Sequence, residues 1–106
     1  MLSSSQPPKP LSENALRQLV KKALDKGWVR ESFHSETERA YRNISYDDVL
    51  FGLESSGWTL ATAPDFDAQH KNWEYLIRTT DVDGDELHLK IAPNTLGGTV
   101  KVLTKY

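Results

Sequence analysis

The stretch Glu86-Leu87-His88-Leu89-Lys90-Ile91 decides the fold, because polar and apolar side chains alternate along all of its positions. Successive side chains of a β-strand point to opposite faces, so the three aliphatic side chains share one face of the strand. The other face carries His88 and Lys90. A strand of this kind is half buried, with its apolar face on a hydrophobic core and its polar face towards water or a site.

Two further strand-like runs flank this stretch. Residues 73–79 precede it, and Asp83-Gly84 in between is a strong signal for a two-residue hairpin turn. Residues 99–106 follow it, after a turn within residues 93–98. In this last run two sets of side chains alternate, with Val100, Val102 and Thr104 on one face and Lys101, Leu103 and Lys105 on the other. The pattern predicts a three-stranded antiparallel meander.

The first half of the chain carries the signals of helices. Residues 12–26 open on a capping serine and show helical apolar spacing, and Gly27 suits the left-handed position that ends a helix. Residues 35–42 open on a Ser-x-x-Glu capping box and predict a short helix. Residues 45–57 open on another serine, carry acids in the first turn and end on Ser-Ser-Gly.

The order of these elements predicts an α+β fold, in which two to three N-terminal helices pack on a C-terminal twisted antiparallel sheet. Residues 1–11 are rich in serine and proline, and we expect them to form a disordered tail. Residues 12–106 are long enough for a single domain with one core. Residues 58–62 fit a short strand, and residues 63–71 read as a polar loop.

The composition narrows the class of protein. The chain has 106 residues and a formal net charge of -2, and the lack of cysteine excludes disulfide frameworks, thiolate zinc sites and cysteine nucleophiles. The histidines lack zinc spacing and no glycine motif cradles phosphate, so we expect neither a metal nor a cofactor. No apolar run approaches the roughly 20 residues of a membrane-spanning helix. We therefore expect a cytoplasmic protein with no membrane partner.

Charge is unevenly distributed along the chain. Residues 1–42 carry eight Lys and Arg against five Asp and Glu, whereas residues 43–106 carry five against ten. A basic first half could bind phosphate or an acidic partner, although a solvated helix face produces the same pattern. The charge distribution alone leaves both interpretations open.

Three short motifs carry a resemblance to a known family. Phe33-His34, Arg42-Asn43-Ile44-Ser45 and Asp48-Val49 resemble the opening of a large bacterial family of small uncharacterised domains. That family ends in a sheet with a Thr-x-Tyr-like strand, and the counterparts in this chain are residues 87–89 and 103–106. The layout over roughly residues 13–106 is also similar to the motility quorum-sensing regulator toxins, which belong with the RelE-like mRNA interferases.

The resemblance implies both a fold and an activity. The fold would be a RelE-like arrangement of helices against a twisted antiparallel sheet, with RNA cleaved on the open face of that sheet. The chemistry would be free of metal, because the 2′-hydroxyl of RNA attacks its own phosphate. A tightly bound antitoxin protein would be the partner that silences the activity.

Metal-free cleavage of RNA needs groups that transfer protons and cations that stabilise the charge of the phosphorane. We expect the catalytic residues to be His88, Lys90 and His34, with His88 as the general base or acid. Phosphate or RNA contacts are expected from four further residues, Arg42, Arg78, Lys105 and Tyr106. The guanidinium group of Arg78 could hold phosphate through two parallel hydrogen bonds.

Simpler interpretations stand beside these. A histidine on the polar face of a strand is often an exposed residue without a catalytic role. Lys105 and Tyr106 could be residues of an edge strand, where lysine discourages further pairing. Residues 81–86 resemble a calcium loop with a displaced glycine, but a plain hairpin turn explains them better. The whole chain could also be a catalytically inactive domain of the same fold that binds RNA or a protein.

Overall fold

The computed structural model of the protein describes residues 9–32 and 44–106. In these residues the elements are α1 (Glu13–Lys26), β1 (Val29–Glu31), α2 (Tyr46–Glu54), β2 (Thr59–Leu60), β3 (Asp65–Asp67), β4 (Asn72–Thr80), β5 (Glu86–Pro93) and β6 (Val100–Lys105). The predicted sites His34 and Arg42, the short helix over residues 35–42 and most of the predicted tail lie outside the described residues.

The strands form a mixed sheet in the order β1-β6-β5-β4-β2, and β3 adds to β4. β4, β5 and β6 pair antiparallel in succession, which confirms the predicted meander and the α+β class. β1 pairs parallel with β6, so the prediction of a wholly antiparallel sheet is wrong. β1 also precedes α2 in the chain, so the described helices do not both precede the strands.

β1 forms because of its partner rather than its own sequence. Its three residues lie beside β6, with Val29 opposite Val100 and both side chains buried. The amide of Val100 donates to the carbonyl of Trp28 over 3.0 Å, and the amide of Ser32 donates to the carbonyl of Val102 over 2.9 Å. The sequence of residues 29–33 is compatible with an extended segment or a loop, and a run this short has no alternation that distinguishes the two.

The apolar face of β5 lies at the centre of the core. Its three aliphatic side chains, Leu87, Leu89 and Ile91, are each 0% exposed, as the alternation predicts. The core also contains buried apolar side chains of both helices, namely Leu16, Val20, Ala23, Val49 and Leu53. Complete burial of one large aliphatic side chain contributes about 1.5–3 kcal/mol, so this face is a main source of stability.

The two helices begin and end as their capping residues predict. The hydroxyl of Ser12 accepts from the amide of Ala15, and Gly27 ends α1 with a left-handed φ of 73°. α2 opens on a complete capping box between Ser45 and Asp48. Among the described residues, no helix has the length and the apolar character needed to cross a membrane.

Leu11, the last residue of the predicted tail, is attached to the domain. Its amide donates to the hydroxyl of Tyr75 over 2.7 Å, and its side chain packs against the core. Tyr75 itself is buried, and this burial raises the pKa of its phenol. The segment that leads into α1 is therefore fixed from Leu11 onward.

The turn between β4 and β5 is wider than the predicted two-residue turn. The amide of Asp81 donates to the carbonyl of Asp85 over 2.9 Å, so three residues form the loop. Gly84 takes a left-handed φ of 87° at its end, where a side chain would be disfavoured. One carboxylate oxygen of Asp81 accepts from the amides of Asp83 and Asp85, which holds the turn as a hairpin.

The predicted loop over residues 63–71 contains a strand. β3 pairs antiparallel with the start of β4, and the ring of Phe66 lies edge-on to that of Trp73 at 5.2 Å. The carboxylate of Asp67 accepts from the amides of Gln69 and His70, which closes the hairpin. The sequence of β3, Asp-Phe-Asp, is too short for its alternation to indicate a strand, so its pairing with β4 defines it.

A glycine in α2 allows the helix to approach β4 closely. The hydroxyl of Thr79 donates to the carbonyl of Gly52 over 2.8 Å, and a Cβ on Gly52 would lie 2.7 Å from Cγ2 of Thr79. We expect Gly52→Ala to lower the free energy of unfolding by about 1–3 kcal/mol in urea denaturation, because the added methyl overpacks this contact. Adding Thr79→Ser, which removes Cγ2 and keeps the hydroxyl, should recover part of the loss.

Gly57→Ala is the matched control, because a Cβ there would meet only the Oγ of Ser55 at 3.7 Å. Equal losses for the two alanine variants would show that the close contact of Gly52 has no special effect on stability.

Candidate functional site

The side of the meander away from the helices, here named the open face, carries the predicted site residues of the sheet. In the register of the sheet Arg78 lies opposite His88, and the backbones of His88 and Tyr106 exchange hydrogen bonds of 2.7 and 3.0 Å. Directly opposed residues of antiparallel strands have Cβ atoms about 4.5–5.5 Å apart. Arg78, His88 and Tyr106 therefore form one row across three strands.

The imidazole of His88 is held between an aromatic ring and a carboxylate. The rings of His88 and Tyr106 stack with centroids 5.3 Å apart and planes inclined by 23°. The Nε2 atom of His88 lies 3.4 Å from a carboxylate oxygen of Glu86, and its side chain is 22% exposed. The ring is therefore oriented by its neighbours and is still accessible to solvent.

Lys90 lies in the next row of the open face, between Leu76 and Thr104. Its Nζ atom is 3.8 Å from a carboxylate oxygen of Glu74. Burial raises the pKa of Glu74, and the negative charges of Asp65 and Asp67 act in the same direction, while Lys90 opposes the rise. The carboxylate thus takes up a proton more readily than an ordinary glutamate.

Two further cations, beyond the site residues predicted from the sequence, extend the open face. Lys101 lies opposite Ala92 on β5 and opposite Arg30 on β1, and both charged side chains are exposed. The alternation of β6 places Lys101 on the face of the strand that does not carry the valines, so its position on the open face could be predicted. The position of Arg30 could not be predicted in this way, because the face on which it lies is set by the pairing of β1 with β6.

Lys105 lies on the face of the sheet that packs on the core. The prediction that Lys105 shares a face with Lys101 is therefore wrong. The register between β5 and β6 shifts at Lys90 and Ile91, so that Leu103 is an extra residue in β6. Such a bulge turns every later side chain to the opposite face. Lys105 is consequently 1% exposed and forms an ion pair with the carboxylate of Glu31, whose side chain is 4% exposed.

A second buried carboxylate lies near this ion pair. Asp48 accepts hydrogen bonds from the amide and hydroxyl of Ser45 and from the amide of Val82. These bonds, led by the Ser45 amide, lower the pKa of Asp48 against the effect of burial, and the charge of Lys105 adds to the lowering. The contribution of the Asp48 carboxylate to stability is present above the ordinary aspartate pKa and is lost as the pH falls through the lowered pKa of Asp48. Its contacts join α2 to the β4–β5 turn.

His70 lies apart from the open face, in the β3–β4 turn. Its Nδ1 atom is 2.6 Å from a carboxylate oxygen of Asp67, and this contact is the main cause of the lowered pKa of Asp67. Within residues 9–32 and 44–106, no group of three or more His, Asp or Glu side chains could hold a metal ion.

The chain was compared with known proteins. No protein-family model matches it, and no curated protein gives a match. The resemblance to RelE-like toxins therefore rests on the short sequence motifs alone.

The buried ion pair generates a prediction about stability. We expect Lys105→Met to cost about 3–5 kcal/mol, because it removes the ammonium group from a buried ion pair. The double variant Glu31→Met/Lys105→Met should recover at least half of that loss in chemical denaturation. Lys101→Met, which removes an exposed lysine from the same strand, serves as the control and should change stability by less than about 0.5 kcal/mol.

A loss below about 1 kcal/mol for Lys105→Met would place it in the range of exposed pairs and contradict the burial of this lysine.

Proposed function

We propose that the protein is a RelE-like, metal-independent endoribonuclease that binds single-stranded RNA on its open face. The observation that carries this proposal is the row of Arg78, His88 and Tyr106 across three strands, with Lys90 in the next row. This arrangement combines a proton-transferring ring, an aromatic ring and two cations on an accessible surface.

The row offers the two kinds of contact by which single-stranded RNA is bound. A guanidinium group such as that of Arg78 can hold a phosphate through two parallel hydrogen bonds, and Lys90 adds a second positive charge. The ring of Tyr106 is partly exposed, and aromatic rings stack on bases of any identity. Binding by these groups depends mainly on phosphate and is expected to weaken as salt increases.

The same groups suit cleavage by the 2′-hydroxyl. His88 would take the proton of the 2′-hydroxyl as its oxygen attacks the neighbouring phosphorus, and imidazole is the side chain most often used for this step. Arg78 would stabilise the negative charge of the phosphorane. Lys90 would donate a proton to the leaving 5′-oxygen as the P–O5′ bond breaks. The products would be a 2′,3′-cyclic phosphate and a 5′-hydroxyl.

A catalytically inactive domain that binds RNA or a protein is the second candidate. It is favoured by the carboxylates on the open face, since Glu86 lies 3.4 Å from His88 and Glu74 lies 3.8 Å from Lys90. These carboxylates compete with phosphate for the same cations. A protein partner, such as an antitoxin, could use this mixed surface without any reaction taking place.

We predict that the purified protein cleaves single-stranded RNA equally well with and without a chelator. His88→Ala should lower the cleavage rate by about 10²–10⁴-fold, because the loss of a general acid or base has an effect of this size. Gel analysis of a labelled oligonucleotide measures the rate, and thermal unfolding checks that the variant is folded. The cleaved 3′ ends should carry cyclic phosphate.

Lys22→Ala is the control, since Lys22 is exposed on α1 and lies away from the open face. RNA left intact at a high ratio of protein to RNA, together with measurable RNA binding, would reject the nuclease in favour of the binding domain. Growth arrest on expression should accompany cleavage and be absent for a binding domain.

Glu74→Gln is expected to strengthen RNA binding at pH 7 by roughly fivefold, which corresponds to about 1 kcal/mol for one unit charge near a phosphate. Because the pKa of Glu74 is raised, the wild-type carboxylate takes up its proton at a higher pH than an ordinary glutamate. The gap between wild type and Glu74→Gln should therefore close as the pH falls through that raised pKa. Fluorescence anisotropy over a pH series measures both effects.

A difference in RNA affinity between wild type and Glu74→Gln that persists unchanged at low pH would contradict the proposal that the charge of Glu74 weakens RNA binding. The absence of a difference at neutral pH would contradict it as well. Thermal unfolding gives an independent readout of the same group. A raised carboxylate pKa lowers stability as the pH rises through it, so Glu74→Gln should stabilise the protein more at pH 7 than at low pH.

A further inference from the structure

A cavity lies at one end of the sheet, between the β3–β4 turn and the β5–β6 turn. Its volume is about 460 Å³, which is within the usual range of roughly 300–1,000 Å³ for small-molecule sites. It is lined by both turns and by the segment that leads into α1. Lys101 belongs both to the open face and to the lining of the cavity. It pairs with Ala92, which lies two residues after Lys90 on β5.

Among the described residues, the charged side chains that line the cavity are basic. His70 contributes an imidazole that contacts the carboxylate of Asp67 beside the cavity. Lys9, Lys71 and Lys101 contribute three ammonium groups, and no carboxylate of the described residues is among the lining side chains. This stands out in a chain whose formal net charge is -2. A concave site lined by charge of one sign attracts ligands of the opposite sign, so the cavity favours an anion.

Asn72 adds a second and independent feature. Its side-chain oxygen is buried and accepts no hydrogen bond in the described residues. This oxygen has no accessible surface where it stands, so a ligand donor reaches it only when the side chain turns towards the cavity. The cost of about 1–3 kcal/mol for an unsatisfied buried acceptor favours that rotation. The neighbouring Trp73 also lines the cavity.

We propose that this cavity binds one nucleotide unit. The lysines hold its phosphate, the oxygen of Asn72 accepts from an amino or hydroxyl group of the nucleotide, and Trp73 provides an apolar wall for the base. The nucleotide can be free in solution or part of an RNA strand. The binding of a nucleotide that is part of an RNA strand rests on the proposed function of the open face, whereas the binding of a free nucleotide does not.

The test is an NMR titration of the full chain with each of the four nucleoside 5′-monophosphates and with inorganic phosphate. Amide signals of Asn72 and Trp73 should shift with a nucleotide, and Lys71→Gln/Lys101→Gln should weaken binding at least tenfold. Lys22→Gln/Lys26→Gln is the matched control, because both lysines are exposed on α1 and do not line the cavity. Asn72→Leu should weaken nucleotide binding more than phosphate binding.

Three results would overturn the proposal: no shifts of Asn72 and Trp73 at millimolar nucleotide, equal affinity for nucleotide and phosphate, or equal losses in the two double variants. A short RNA distinguishes the two sources. Tighter binding of the RNA, lost in His88→Ala/Arg78→Ala while monophosphate binding is kept, identifies RNA as the ligand. Equal affinities identify a free nucleotide. Nucleotide binding without any RNA cleavage keeps the cavity and rejects the nuclease.

Discussion

The register of β6 against β5 depends on one extra residue, Leu103, and both faces of the sheet follow from it. Before the bulge, Val100 and Val102 face the core. After it, Thr104 and Tyr106 face outward and Lys105 faces inward. Without the extra residue, the aromatic ring that stacks on His88 would point into the core and the ammonium group would point to solvent. The open face and the buried ion pair therefore have one common cause.

The open face is a balance of charges rather than a purely basic surface. In the described residues its cations lie among the carboxylates of Glu74 and Glu86. A phosphate that binds beside His88 or Lys90 must displace these contacts, so the net gain per contact is small and sensitive to salt. The cavity at the end of the sheet differs in this respect, because no carboxylate of residues 9–32 and 44–106 lines it. The two regions would thus contribute differently to RNA binding, one by positioning the strand and one by holding charge.

The parts of the fold that follow local rules could be read from the sequence. The alternation of β5 gave its buried face, and Ser12, Gly27 and Ser45 gave the ends of the helices, because capping depends on neighbours in the chain. β1 and β3 could not be read, since each is defined by a partner strand rather than by its own three residues. The α+β class was therefore predictable, whereas the mixed sheet was not.

The same distinction applies to the candidate site. Arg78, His88 and Lys90 could be placed on the open face from the period of two along their strands. Lys105 could not be placed, because the bulge is set by pairing and has no signature in the residues around it. The unsatisfied oxygen of Asn72 could not be predicted from the sequence either, since its burial depends on the folded surroundings and not on neighbouring residues.

The position of β6 has a consequence for biosynthesis. β6 lies between β5 and β1, so β1 has no neighbour in the sheet until residues 100–105 have left the ribosome. The strand β1 therefore completes its pairing late in synthesis, whereas α1 can pack on α2 earlier. Contacts between segments this far apart slow folding.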